Sequence, residues 1–247
     1  MSKTRLVVSE QFYSLQGEGP TVGRPAIFLR LAGCNLECNG FSYQNPIDGS
    51  HLGCDSKLVW QKGTPYTLET LLLDWQHNGF ATHLKSGAHL IITGGEPLLQ
   101  QTKIAALLTE LDTLWPDIYI EIETNGTLLP NPYLSKRINQ FNVSPKLTSS
   151  LEPKAKAYQC NVLQHLVALP QTIFKFVIQS QTDVEEVISA YQQAFQITNT
   201  RIWLMPEGGT RAQINPKMAW LAERCKDYGF NFSARLHIML WDEATGV

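Results

Sequence analysis

His89-Leu90-Ile91-Ile92-Thr93-Gly94-Gly95-Glu96-Pro97 decides the fold. An apolar run goes straight into two glycines and a proline. The stripe Ile104, Leu107, Leu108 and Leu111 follows at helical spacing. A compact apolar run of this length suits a strand covered on both faces. Pro97 opens the helix at a position where proline is tolerated. The unit is strand, glycine turn, helix. Turn chemistry alone accounts for a Gly-Gly-Glu-Pro sequence. Two glycines at a strand end also let backbone approach a bound molecule closely.

The same unit recurs on both sides. Apolar runs at 26–31, 118–123, 141–144, 173–178, 201–205 and 236–241 read as further short strands. Leu68, Leu71, Leu72 and Trp75 form a second helical stripe, stopped by Asn78-Gly79. Val184, Val187, Ile188 and Tyr191 form a third, behind a capping box from Thr182 to Glu185. Met218, Leu221 and Cys225 make a weaker fourth. Strand alternating with helix implies an α/β protein with about six parallel strands, either an open doubly wound sheet or an incomplete barrel. Active groups are then expected at the C-terminal strand ends. The irregular peptides lie there: Gly33-Cys34, Thr93-Gly94-Gly95, Glu123-Thr124-Asn125-Gly126, Ser144-Pro145-Lys146 and Met205-Pro206-Glu207-Gly208. No internal repeat or low-complexity tract interrupts the pattern, so 1–247 reads as one domain.

The 247 residues are 43% hydrophobic and 17% charged, normal for a globular core. A net charge of -2 argues against broad affinity for nucleic acid or an anionic membrane surface. The N-terminal residues lack a long apolar run, so neither a signal peptide nor a membrane span is expected there. Five cysteines, odd in number and unevenly spaced, do not make a disulfide framework. A cytoplasmic, reducing setting is expected.

Three of those cysteines, Cys34, Cys38 and Cys54, follow the first apolar strand at spacing C-x3-C-x15-C. The 39–53 segment between the last two is polar, rich in Gly, Asn and Ser, and contains Pro46; it reads as an inserted loop. His51 lies inside it, so Cys34, Cys38, His51 and Cys54 would make a Cys3His zinc site. The other reading is an iron–sulfur cluster. Three thiolates are one short of the four that saturate a cubane. The fourth iron is then free for the amino and carboxylate groups of S-adenosylmethionine, and an electron from the cluster cleaves the sulfonium. A zinc knuckle has no need of glycine-rich ends on every following strand; the cluster reading uses them. Gly95 then removes bulk beside the cofactor's methionine end, and Glu96 offers it a carboxylate.

Taken together, several segments carry a resemblance that runs nearly end to end. They are Phe12-Tyr13-Ser14-Leu15-Gln16-Gly17-Glu18-Gly19, Phe28-Leu29-Arg30-Leu31-Ala32-Gly33-Cys34-Asn35-Leu36, Cys54-Asp55-Ser56, Thr93-Gly94-Gly95-Glu96-Pro97, Glu123-Thr124-Asn125-Gly126-Thr127, Ser144-Pro145-Lys146, Phe174-Lys175-Phe176-Val177 and Leu204-Met205-Pro206-Glu207-Gly208. The chain resembles the 7-carboxy-7-deazaguanine synthase family of radical S-adenosylmethionine enzymes. The resemblance implies an incomplete (βα) barrel and a homodimer. It implies a lyase reaction in which 6-carboxy-5,6,7,8-tetrahydropterin becomes 7-carboxy-7-deazaguanine with loss of ammonia, towards queuosine. A magnesium ion and an electron donor of the flavodoxin or ferredoxin type accompany it.

Position by position, the resemblance implies that Cys34, Cys38 and Cys54 hold a 4Fe-4S cluster and that Ser56, where threonine is usual, holds magnesium through its hydroxyl. It assigns Gly53, Asp55, Gly95, Ser144, Pro145 and Lys146 to the S-adenosylmethionine site. Leu15, Gln16, Gly17 and Thr93 fall to the pterin, and Arg30 to a clamp on its carboxylate. Glu123 and Asn125, at their strand end, are further candidates for the cofactor, with Glu96. Glu18 is a candidate for the substrate side, as is Val247 in a tail expected over the site. Three departures stand out. The last cysteine interval is fifteen residues where two is common, an insertion that costs only about 0.6 kcal/mol per doubling of loop length. Met239-Leu240-Trp241-Asp242 stands near where some members carry Gln-Thr-His-Lys, so that histidine's role is not transferred. The tail is unplaced beyond a closing strand within 236–247.

The remaining residues read as structural. Glu121 is expected to pair with a basic neighbour on the barrel. Cys160 and Cys225 are small buried hydrophobes. His77, His83, His89 and His165 are surface or satisfied histidines, and Trp203 and Trp220 pack. Arg235 and His237 lie near the closing strand, where they could reach substrate, and neither is assigned a role. The competing readings are an activase that installs a glycyl radical on a partner, and a zinc-stabilised binding module.

Overall fold

The computed structural model describes residues 4–244 and 246. Eleven strands and ten α-helices alternate among them. The strands are β1 Arg5–Leu15, β2 Pro25–Leu31, β3 Tyr43–Gln44, β4 His51–Gly53, β5 Thr64–Thr67, β6 His89–Gly94, β7 Ile120–Thr124, β8 Gln140–Val143, β9 Thr172–Ile178, β10 Ile202–Pro206 and β11 Asn231–Phe232. The helices are α1 Lys57–Trp60, α2 Leu68–His77, α3 Phe80–Lys85, α4 Gln101–Leu114, α5 Pro132–Arg137, α6 Lys154–Ala157, α7 Cys160–Ala168, α8 Gln181–Glu186, α9 Arg211–Tyr228 and α10 Leu236–Trp241.

Nine strands make one sheet in the order β11-β10-β9-β8-β7-β6-β2-β1-β5, and β3 and β4 form a separate hairpin. From β2 to β11 every neighbouring pair is parallel. β1 and β5 add an antiparallel edge. Six of the seven apolar runs are parallel strands within a residue or two of their expected limits; the seventh, 236–241, is not a strand. β1 was not signalled, because it alternates inward Leu6 and Val8 with more exposed residues and is covered beyond Val8 on one side only, by β2.

Side-chain alternation sorts the strands into two faces. Leu90 and Ile92 of β6, Ile120 and Ile122 of β7, and Phe174 and Phe176 of β9 join the large cluster packed under the helices. Complete burial of such a side chain stabilises by about 1.5–3 kcal/mol. The opposite face is polar. Thr93, Glu121, Glu123, Asn142 and Lys175 point inward from successive strands. Beneath the mouth, Glu121 takes bonds from His89 Nδ1 at 2.7 Å, Asn142 Nδ2 at 2.8 Å and Thr21 Oγ1 at 3.0 Å. Its expected structural role, paired with a basic neighbour, is what the strands present.

The sheet curls without closing. Lys175 of β9 pairs with Glu18, just beyond β1. Gly19 N donates to Ser233 Oγ at 2.9 Å, and Leu236 N to Gly17 O at 2.9 Å. The two ends of the sheet thus meet through loops, while their edge strands do not pair. This is the incomplete barrel.

Three expectations need correction. Residues 236–241 are helix α10, not a closing strand. A short apolar run is ambiguous by periodicity, and here Met239 and Leu240 face solvent while Ile238 alone is buried. The short β11 takes the last edge instead. The capping box is Ser180 with Asp183, not Thr182 with Glu185, because α8 begins two residues earlier. Cys160 is exposed at the start of α7; only Cys225 is a buried hydrophobe. No helix among the described residues is long and apolar enough to cross a membrane.

Candidate active site

The C-terminal strand ends surround a cavity of 330 Å³, within the usual range for small-molecule sites. Cys34, Cys38 and Cys54 line it from loops after β2 and β4. The Cys34 loop is fixed from below. Asn35 Nδ2 donates to Thr127 Oγ1 at 2.8 Å, and Asn125 Nδ2 donates to Asn35 Oδ1 at 2.9 Å. The Cys38 amide donates to Glu152 Oε1 at 2.5 Å, with Cys38 itself at φ 51. Gly95 must be glycine here: a Cβ would lie 2.5 Å from both Gly33 O and Cys34 Cβ.

Burial pushes the Cys34 thiol up, and the Cys38 thiol up to about 12; the neighbouring cysteines add to both. Lys146, also on the cavity wall, opposes this. Ligation must therefore displace protons from these thiols. Among the described residues no three His, Cys, Asp or Glu side chains converge tightly enough for one metal ion. His51 Nε2 is 2.7 Å from Asn39 O and does not line the cavity. The structure thus does not bring His51 to the cavity wall that the three cysteines share, as a Cys3His set would require. Three thiols on the wall of one cavity are a donor set that fits a multi-iron cluster, and Gly94 and Gly95 leave bare backbone on the same wall.

Deeper in the cavity the inward residues form a hydrogen-bonded set. Glu123 Oε2 accepts from Thr93 Oγ1 at 2.9 Å, and Oε1 accepts from Gln16 Nε2 at 3.3 Å, with Lys175 Nζ 3.9 Å away. Lys175 also pairs with Glu18 Oε2. Arg235 Nε meets Glu18 Oε1 at 3.0 Å, and its NH2 meets Asp55 Oδ2 at 2.6 Å. Burial pushes the Glu18 carboxyl up, but Lys175, Arg235 and His237 outweigh it and hold the group well below the usual range. Burial and Arg235 lower His237, which stays neutral near pH 7. Arg30 Nε is engaged by Glu10 Oε1 at 2.7 Å.

Of the residues singled out from sequence, the three cysteines, Ser56, Gly53, Asp55, Gly95, Glu123, Asn125, Ser144 and Lys146 line this one cavity. So do Leu15, Gln16, Gly17, Glu18, Arg30 and Thr93. Glu96 does not. It is 1% exposed and accepts from Thr124 Oγ1, Asn125 N and Leu98 N, so it braces the strand ends and offers no charge to a ligand. Pro145 is buried behind Ser144 and Lys146 and contributes no wall. Val247 lies outside the described residues. Arg235 and His237, named from sequence without an assigned role, also line the wall, as do Lys175 and Glu10, which the sequence reading gave no site role. A signal for one of them was present: a Cβ at Gly17 would overlap the His237 ring.

No family model matches the chain. Curated relatives do. The chain is 32% identical to a 7-carboxy-7-deazaguanine synthase of Pyrobaculum aerophilum over 100% of both sequences. It is 31% identical to the one of Halobacterium salinarum, over 97% of this chain and 91% of the relative. Among solved structures, the crystal structure of QueE from Escherichia coli superposes with a TM-score of 0.64 at 23% identity, covering 94% of this chain and 95% of that one. The last match speaks for the fold.

Proposed function

The chain belongs to the 7-carboxy-7-deazaguanine synthase family, and from that premise we propose that it contracts the ring of 6-carboxy-5,6,7,8-tetrahydropterin to 7-carboxy-7-deazaguanine, releasing ammonia, on the way to queuosine. The glycyl-radical activase reading falls with the same kinship. One observation carries the proposal: three thiols and the Thr93–Glu123–Gln16–Lys175 set open into a single cavity.

Cys34, Cys38 and Cys54 would hold the 4Fe-4S cluster. Gly53, Asp55, Gly95, Asn125, Ser144 and Lys146 would hold S-adenosylmethionine. Together the two groups supply the one-electron chemistry that removes a hydrogen atom from the substrate. The rest is the chain's own work. Glu10 fixes Arg30 through Nε, which leaves the terminal guanidinium nitrogens for the substrate carboxylate. Glu123, steadied by Thr93 and Gln16, offers acceptors to the amino-pyrimidinone edge of the pterin. Lys175 and Arg235 keep Glu18 ionised beside it, and the neutral His237 can accept or donate a hydrogen bond.

Magnesium at the Ser56 hydroxyl, a homodimer, a flavodoxin- or ferredoxin-type donor and a cytoplasmic setting complete the reading. Kinship supports them, as does a chain whose five cysteines are all unpaired. We further take 1–247 as one domain with an insertion at 39–53. The test is anaerobic incubation of reconstituted, reduced protein with S-adenosylmethionine, magnesium and the carboxylated tetrahydropterin. Mass detection of the deazapurine acid is expected with wild type and not with Cys54→Ala. Wild type that consumes cofactor without forming this product would overturn the proposal.

A further inference from the structure

Fifteen residues separate Cys38 from Cys54, and the first part of that segment is tied at successive points. Gly40 N donates to Ser150 O at 2.9 Å, and Gly40 O accepts from Gln179 Nε2 at 3.0 Å. Ser42 N and Oγ both donate to Glu207 Oε1, at 2.8 and 2.7 Å. Gln213 Nε2 donates to Ser42 O at 3.3 Å. The other oxygen of Glu207, Oε2, accepts from Lys217 Nζ at 2.6 Å. The Tyr43 ring lies against Gly209, where a Cβ could not fit. The β3–β4 hairpin then returns the chain to Cys54.

The route matters. The loop leaves β2 and is anchored just past the end of β10, and four strands lie between those two in the sheet. It therefore crosses the mouth of the open barrel, with Phe41 and Tyr43 on the cavity wall. Its anchor is buried: Glu207 is 3% exposed, with three donors on its carboxylate. Burial pushes Glu207 up, but the bonds from Lys217 and Ser42 outweigh it and keep the group ionised. Charge-assisted bonds of this kind are the strong ones.

We propose that Glu207 is a positioning residue that fixes the 39–53 loop across the mouth, making this chain's long cysteine interval the wall that encloses the cofactor end of the cavity. The inference rests on the assignment of that end to S-adenosylmethionine. A fixed wall excludes water from the cysteine side, a closure that the unpaired sheet edges do not provide.

The test compares wild type, Glu207→Ala, Ser42→Ala and Lys217→Met as reconstituted holoenzymes. Four quantities are read: hydrogen–deuterium exchange over 40–44, the Kd of S-adenosylhomocysteine by calorimetry, KM for the pterin, and iron per chain. Loss of a charge-assisted bond should weaken the homocysteine analogue about ten-fold in Glu207→Ala. Exchange over 40–44 should rise with it, while iron content and pterin KM stay at wild-type values. Ser42→Ala, which keeps its backbone bond, and Lys217→Met, which lies off the cavity wall, should shift exchange and Kd in the same direction by less. They carry the test if Glu207→Ala does not fold. Unchanged exchange, faster exchange with unchanged analogue affinity, or equal losses of analogue and pterin affinity would each overturn the inference. Wild type that binds no analogue would instead overturn the assignment of the cavity.

Discussion

Glu18 is held between the cations of Lys175 and Arg235, and its carboxyl sits well below the ordinary glutamate value of 4.5. A folded-state value below the unfolded one means that the group stabilises the fold above the unfolded value, and that this is lost as pH falls through the folded one. Thermal melts from pH 7 down to 3 should therefore show wild type losing more stability than Glu18→Gln, which should start roughly 3 kcal/mol lower at pH 7 because two buried cations lose a partner. Equal acid dependence would remove Glu18 from the network. Arg30→Ala tests the substrate end. KM for the pterin should rise about 100-fold, as expected for loss of a paired charged bond. Cofactor cleavage without substrate should stay near wild type; parallel loss of both would move Arg30 out of the substrate site. At this scale the sequence was legible where a residue sits in a short motif, as with Gln16, Glu123 and the cysteines. Arg235 and His237 escaped because their place depends on a turn after β11 that returns the chain to Gly17, more than two hundred residues away in sequence. Glu96 misled for the opposite reason. Its motif is informative, but its carboxylate is consumed by the backbone and hydroxyl of the next strand end.

The end of β6 and the end of β2 touch where Gly95 meets Gly33 and Cys34, and that contact has no room for a methyl group. Gly95→Ala should leave the far-ultraviolet circular dichroism unchanged. It should lower iron and sulfide per reconstituted chain by about half or more, since the clash falls on backbone that cannot move aside cheaply. A full cluster in that variant would separate the glycine from the cluster site. The six covered strands were readable because burial on both faces leaves compact runs bounded by glycine and proline. The 236–241 run has the same appearance and a different partner. With β11 occupying the sheet edge, Leu236–Trp241 closes its own backbone bonds as a helix and turns Ile238 inward. β1 was invisible because an antiparallel strand near the sheet edge alternates, and the Phe12–Gly19 segment that begins in it reads as a motif before it reads as structure.

For the molecule as a whole, the sheet's curl brings the thiols and the Glu123 set into one cavity, and the mouth is crossed by the 39–53 loop and bordered by the segment around Arg235. Sequence spacing could place the groups at strand ends but not show that the gap in the barrel is bridged, because the bridging contacts pair residues far apart along the chain. The central claim is that cofactor and pterin share this cavity closely enough for direct hydrogen transfer. The measurement is turnover with substrate deuterated at C6, followed by mass analysis of the recovered S-adenosylmethionine and 5′-deoxyadenosine. Deuterium in the 5′ position, alongside 7-carboxy-7-deazaguanine, is the predicted result. Product formed with no label reaching the nucleoside would contradict it.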